Sequence, residues 1–270
     1  MIKFTHLRAA IFDWAGTVID HGSLAPMGAF VKAFAAFDVD LSIDEARGPM
    51  GMAKRPHIAA LMALPRIAEA WKARHGRLPG DRDIDAVFET FLPMNIAAAK
   101  DHSRLIDGTA ETVSKLREGG LKIGTTTGYT HDIMDAILPL AAEQGFSPDS
   151  IVCTGDTPAG RPSPFMIYRS LMDMDVWPAA ACFKVDDTEV GIAEGLNAGA
   201  WTVGVAMSGN VFGLSMADTG RLPAAELASR RDSGHARLRV AGAHYVIDSV
   251  ADLLPVAVDI EGRLQRGERP

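Results

Sequence analysis

Apolar and polar positions along this chain follow two rhythms. Residues 9–12 (AAIF) make a short unbroken apolar run that ends on Asp13. From residue 26 to 37 the apolar positions instead return at helical spacing, with Met27, Phe30, Val31, Phe34 and Ala35 on one side. The same spacing predicts helices over 54–62, 65–75 and 84–99, and few β-rich runs interrupt them. From about residue 105 short apolar runs alternate with helical patterns. A helix over 109–118 ends at Gly119-Gly120, a suitable C-terminal stop. Strands follow over 121–127, 150–154, 181–185 and 201–207, separated by helices over 131–143, 164–173 and 190–198. Residues 208–242 carry a weaker mixture of loop and helix, and 244–257 supply a last strand and helix.

Alternation of this kind predicts an α/β fold, a Rossmann-like parallel sheet with helical crossovers. The first strand belongs with the later ones. The chain therefore reads as a core of residues 1–21 and 101–270, with residues 22–100 inserted as an α-helical cap domain. Ligands of such sheets collect at the carboxyl ends of the strands. A long insertion above that edge suits a lid or a specificity element.

Composition narrows the picture. The chain has 270 residues, 47% hydrophobic and 23% charged, as a globular protein with a full core does. The formal net charge of −7 speaks against a nucleic-acid partner but leaves room for a small anion held by local cations and backbone amides. No run reaches the ~18 apolar residues of a membrane span, and the first residues do not form a signal peptide, so a cytoplasmic location is expected. Cys153 and Cys182 lie on apolar runs and read as buried free thiols.

Four strand ends carry polar groups. Asp13 follows AAIF, Thr127 precedes Gly128, Asp186 and Asp187 follow FKV, and Gly155-Asp156 is followed by Arg161. Taken singly, each is an ordinary cap or turn former. Together they suit phosphoryl transfer. Two separated carboxylates can hold Mg²⁺, a threonine hydroxyl next to a glycine can donate to a phosphate oxygen, and Arg161 can neutralise a phosphoryl group.

The stretch Asp13-Trp14-Ala15-Gly16-Thr17, with Thr127, Arg161 and the acidic pair, resembles the haloacid dehalogenase superfamily. That resemblance implies an aspartyl-phosphate on Asp13 with Mg²⁺ bound. Most phosphatases of the superfamily carry a second aspartate two residues on, to protonate the departing oxygen. Ala15 stands there. A carbon leaving group needs an electron sink instead, and a lysine condensed with an aldehyde supplies one. Lys54 follows a glycine-rich turn among apolar residues in ARGPMGMAKRPHIAALM, a setting that lowers an amine's pKa by desolvation. His57 nearby is placed either to shuttle a proton or to fill the core. Trp14 reads as packing, Met50 and Met52 as an apolar lining around Gly51, and Arg230, Arg231, Arg237 and Arg239 as solvated surface.

The strings FDWAGTVID, ARGPMGMAK, TTTGYT, PAGRPSP and NAGAWTVGV resemble the phosphonoacetaldehyde hydrolase family, the phosphonatases, over both parts of the chain. This implies hydrolysis of a carbon–phosphorus bond in phosphonate (2-aminoethylphosphonate) degradation, with Lys54 forming a Schiff base and Asp13 attacking phosphorus. It maps the metal sphere to Asp13, Asp187 and the backbone carbonyl of Ala15. It maps phosphate binding to Thr127, Gly128 and Arg161, and the surroundings of the lysine to Met50, His57 and Tyr129. It also implies a homodimer. Ala15 is then explained, because no oxygen leaving group has to be protonated. The runner-up is a phosphomonoester hydrolase or phosphomutase of the same superfamily, and a silent binding protein is the non-enzymatic alternative. One departure stands out. The superfamily often has a further aspartate four residues after the metal-binding one, where this chain has Gly191. Asp186 or Glu189 is the candidate to compensate, and Asp186 otherwise reads as a residue that orients its neighbours.

Overall fold

The computed structural model describes residues 3–270. Six parallel strands form one sheet: β1 (Ala9–Phe12), β2 (Lys122–Thr126), β3 (Ser150–Val152), β4 (Cys182–Asp186), β5 (Trp201–Val205) and β6 (Tyr245–Ile247). Their order is β3-β2-β1-β4-β5-β6, so β1 lies in the middle and the α/β expectation holds. The pleat sorts β1 into two cores. Ala10 and Phe12 join one apolar cluster with Ile123, Phe146 and Phe183, while Ala9 and Ile11 join another with Ile167 and Leu171. Phe12 pairs in register with Thr125 of β2 and Val185 of β4. That register brings Asp13, Thr126-Thr127 and Asp186-Asp187 out along one edge.

Between β1 and β2 run helices α1 (Ala25–Ala35), α2 (Ile43–Arg47), α3 (Lys54–Met62), α4 (Pro65–His75) and α5 (Asp81–Asp101), then α6 (Thr109–Glu118). The first five share an apolar cluster of their own, built on Phe30, Phe34, Ile58, Leu61, Trp71 and Phe91, with the Phe30 and Phe91 rings stacked at 4.3 Å. The chain leaves β1 through a strap in which Asp20 and Ser23 take positive φ. Asp20 turns it into α1 by accepting hydrogen bonds from Leu24 and Ala25 at 3.0 and 2.9 Å. Helices α7 (His131–Glu143), α8 (Phe165–Asp173), α9 (Glu189–Ala198), α10 (Met216–Thr219), α11 (Ala224–Val240) and α12 (Leu253–Gln265) complete the chain.

Two elements depart from the sequence pattern. Helix α2 was not predicted; it is only five residues long and rests on a capping box between Ser42 and Glu45. Residues 208–242 hold a full helix, α11, whose pattern is faint because only Gly234 and Leu238 are buried. Trp14 packs edge-on to Phe146 at 5.2 Å, as packing required. Cys153 and Cys182 are free and buried, and burial pushes both thiols up to about 12. Among the described residues, no helix is long and apolar enough to cross a membrane.

Candidate active site

The turn after β1 builds the first part of the site. Gly16 has φ +82°, and a Cβ there would lie 2.1 Å from Asp187 Oδ2, so the chain can pass Asp187 only with a glycine. Thr17 Oγ1 donates to Asp187 Oδ1 at 3.5 Å, and the backbone N–H of Asn210 donates to Asp187 Oδ2 at 2.6 Å. Asp13, Asp186 and Asp187 are all buried, each with a carboxylate oxygen within 4.8 Å of the others.

Arg161 ties this group together. Its guanidinium donates to Asp13 Oδ1 at 2.8 Å and to Glu194 Oε2 at 3.0 Å, and it lies 3.4 Å from Asp186 Oδ2. Lys184, fully buried on β4, donates to Thr126 Oγ1 at 2.8 Å and sits 3.1 Å from Asp186 and 3.4 Å from Glu194. The charges divide the acids. Burial pushes the Asp186 carboxyl up, but Arg161 and Lys184 beside it outweigh that and hold it below its ordinary value. Asp187 has no such partner, so burial and the neighbouring Asp13 and Asp186 push it well up. Asp13 is raised by burial, with Arg161 opposing.

The opposite wall comes from the helical segment. Lys54, the first residue of α3, is 4% exposed. Its Nζ lies 5.0 Å from the Tyr129 ring centroid and 5.8 Å from that of Phe30. Burial lowers its pKa to about 8, and Asp13 opposes that through space without a hydrogen bond. Behind it, His57 is buried against Phe30, the two rings 4.1 Å apart. The 2.8 Å contact of its Nε2 with the Ala46 carbonyl assigns the proton to Nε2 and leaves Nδ1 as a free acceptor. Burial, and after it Lys54, lowers the His57 pKa to about 3.

One narrow cavity is lined by Asp13, Ala15, Met50, Lys54, Thr127, Gly128, Tyr129, Arg161 and Asp187. Asp186 and His57 lie behind its wall, and Asp156 lies away from it, paired with His131 at 2.7 Å. Thr127 accepts the Tyr129 N–H at 3.1 Å. Gly128 admits the helical segment: a Cβ there would stand 2.7 Å from the Met52 carbonyl oxygen.

A family model for haloacid dehalogenase-like hydrolases matches residues 7–199. A protein from Paraburkholderia phytofirmans named phosphonoacetaldehyde hydrolase is 63% identical over 265 residues, covering 98% of this chain and 99% of that one. One of the same name from Klebsiella pneumoniae is 46% identical over 266 residues, with 98% and 99% covered. The crystal structure of a phosphonoacetaldehyde hydrolase-like protein from Oleispira antarctica superposes with TM-score 0.97 at 43% identity, covering 100% of this chain and 98% of that one. The chain belongs to the phosphonoacetaldehyde hydrolases, within the haloacid dehalogenase-like hydrolases.

The site of this phosphonoacetaldehyde hydrolase family member fits a divalent cation. On the sheet side, four buried carboxylates (Asp13, Asp186, Asp187 and Glu194) share two buried cations (Arg161 and Lys184), and the buried Lys54 amine lies across the cavity. The excess is greatest at Asp187, which has no cation beside it, while Asp13 shares Arg161 with Asp186 and Glu194. Hard oxygen donors with uncompensated negative charge are what Mg²⁺ prefers.

The structure also resolves the departure at Gly191. A Cβ at that position would lie 1.9 Å from Asp186 Cγ, so Asp186 fills the space that a side chain on residue 191 would need. Glu189 is not the substitute: it lies at the surface and pairs with Arg237 at 3.0 Å. Sequence reasoning missed Lys184, Glu194, Ser23 and Asn210. Lys184 had a signal, a lysine inside an otherwise apolar strand. Ser23, whose buried hydroxyl lines the cavity without a partner, and Asn210 come from strap and loop segments with no periodicity to mark them.

Proposed function

We propose that the protein hydrolyses phosphonoacetaldehyde to acetaldehyde and phosphate. The observation that carries this reading is the buried Lys54 amine facing Asp13 across one cavity, with Ala15 where an oxygen leaving group would need an acid. With its pKa lowered to about 8, Lys54 keeps about a tenth of its amine neutral near pH 7, a far larger fraction than an exposed lysine does. It condenses with the aldehyde, releasing water, and the resulting iminium is the electron sink. An Asp13 carboxylate oxygen attacks phosphorus, the carbon–phosphorus bond breaks, and its electron pair passes into the iminium to give an enamine on Lys54. Water hydrolyses the aspartyl-phosphate. Protonation of the enamine carbon and hydrolysis of the imine release acetaldehyde and return the amine.

The other residues hold this arrangement. Arg161, Thr127 and Gly128 receive the phosphoryl oxygens, Arg161 with its charge already set by three carboxylates. His57, buried and neutral against the Phe30 ring, packs in the wall behind Lys54 and helps keep the amine out of water. Met50 and Tyr129 keep water from the iminium. Asp13, Asp187 and the Ala15 carbonyl are the residues that hold Mg²⁺, which supplies charge neutralisation at the phosphoryl group when bound. Residues 22–100 act as the cap domain on a core of 1–21 and 101–270. We place the enzyme in the cytoplasm, as a homodimer, in phosphonate breakdown.

A phosphomonoester hydrolase or phosphomutase is the weaker reading, since it leaves the buried Lys54 without a task. Solved relatives in those classes, such as a putative β-phosphoglucomutase from Bacteroides vulgatus (TM-score 0.66, 19% identity), share the fold alone. The test is mass spectrometry after borohydride reduction with phosphonoacetaldehyde. A two-carbon adduct on Lys54, absent in Lys54→Arg, is expected. Its absence, with Mg²⁺-dependent phosphate release from simple esters, favours the phosphomonoesterase.

A further inference from the structure

The stretch from Gly48 to Ala53 delivers Lys54 to the cavity, and it presses closely on the sheet edge. A Cβ on Gly51 would lie 2.5 Å from Thr188 Oγ1, and the Met52 carbonyl sits against Gly128. Arg47, the last residue of α2, immediately precedes this stretch. Its Nη1 donates to the Gly22 carbonyl and to Asn210 Oδ1, both at 3.0 Å, with Ser23 O further off at 3.5 Å. Its Nη2 donates to the Gly213 carbonyl at 2.9 Å. Gly213 makes the seat: a Cβ there would come within 2.9 Å of the Arg47 Cζ and Nε.

Every one of these acceptors is neutral. They belong to two separate pieces of chain, the strap leaving β1 and the loop after β5. The acids Asp187, Asp20 and Asp44 act on the guanidinium only through space. A half-buried guanidinium without a carboxylate partner is there for its shape, because a planar fork can satisfy several carbonyls at once and an ammonium cannot. Asn210 supplies the link to the site. Its side-chain oxygen accepts from Arg47, and its backbone N–H donates to Asp187 Oδ2 at 2.6 Å.

We propose that Arg47 is a positioning residue that joins the two halves of the site. One guanidinium sets the Lys54-bearing stretch against the loop that orients Asp187, so the amine and the carboxylate come to their working places together. The inference rests on the roles given above to Lys54 and Asp187.

Arg47→Ala, Arg47→Lys and Asn210→Ala test it. In Arg47→Ala we expect kcat on phosphonoacetaldehyde to fall about 100-fold while KM changes less than about threefold, as misplacement rather than lost binding requires. Mg²⁺ affinity, read by titration calorimetry, should weaken about 5–10-fold, the effect of losing a group that orients a ligand. Arg47→Lys should not recover either quantity, whereas guanidinium ion added to Arg47→Ala should restore part of kcat. Borohydride trapping of acetaldehyde on Lys54 should stay at the wild-type extent. Wild-type kcat and Mg²⁺ affinity in Arg47→Ala would overturn the proposal, and so would full recovery in Arg47→Lys. Should Arg47→Ala not fold, Asn210→Ala removes one acceptor, and unchanged Mg²⁺ affinity there overturns the proposal equally. If the wild type traps no imine but Arg47→Ala still loses Mg²⁺ affinity, the lysine reading fails and the link from Arg47 to Asp187 stands.

Discussion

The two walls of the cavity treat buried charge in opposite ways. On the sheet side, Arg161 and Lys184 are buried but surrounded by Asp13, Asp186 and Glu194, and these carboxylates hold the Arg161 guanidinium charged against the effect of burial. On the helical side, Lys54 and His57 are buried among Phe30, Tyr129 and Met50 with no carboxylate beside them, and both are pushed toward neutrality. Burial disfavours charge on both sides. What differs is whether opposite charge is buried alongside. A site that must grip a phosphoryl group needs fixed cations. A site that must form an imine needs a free amine.

The sharpest break is removal of either reactive group. Lys54→Arg and Asp13→Asn should each lower kcat by about 10⁴-fold or more, the scale of losing a covalent catalyst. Borohydride trapping separates them: the adduct survives in Asp13→Asn and vanishes in Lys54→Arg.

Moving the acid on the sheet side comes next. Asp186→Gly should cost about 100-fold in kcat, since it strips Arg161 and Lys184 of a shared partner. Gly191→Asp alone should destabilise the fold by several kcal/mol, about 3 or more, because the new side chain enters the Asp186 carboxylate. Combining the two should recover stability and at least part of kcat. A double variant no better than either single one would show that the two positions do not share one volume.

On the helical side the comparison can be broken by adding charge. Steady-state activity should rise with pH through about 8 as Lys54 loses its proton. Met50→Glu places a carboxylate by the amine and should move that rise upward by about one pH unit or more. An unmoved profile would assign it to another group. His57 gives a stability counterpart. Its folded pKa of about 3 lies below the unfolded value, so the unfolded chain takes up the proton first. Its contribution is present above the unfolded pKa and is lost as pH falls through the window down to 3. Denaturant unfolding at pH 7 and pH 5 should differ by about 2 kcal/mol from this group, and His57→Phe should remove that difference. The smallest effect is expected at the surface: Arg237→Ala breaks the exposed pair with Glu189 and should change stability by no more than about 0.5 kcal/mol, with kcat intact.

Much of this was legible in the chain. AAIF followed by Asp13, FKV by Asp186-Asp187, and TTT by Gly128 are local patterns, and strand register turns them into one edge. Lys54 was legible through its glycine-rich approach. The partners of these groups were not. Glu194 sits on a helix where a glutamate is unremarkable, and only packing of α9 against the sheet buries it beside Arg161 and Lys184. Helix α11 was faint because it meets the rest of the protein through a narrow stripe. Between Asp186 and Glu189 the sequence offered no choice, since both are acids close to Gly191; a 1.9 Å distance decided it.

The sequence by itself determined the fold class, which follows from residue type and short-range spacing, and through its resemblance to a known family it singled out Asp13, Lys54 and Ala15 for the roles proposed above. Only the tertiary structure decided which charges keep their partners, which acid fills the space at Gly191, and that Arg47 connects the two walls. Those properties depend on distances between segments far apart in the chain, and burial converts such distances into charge states.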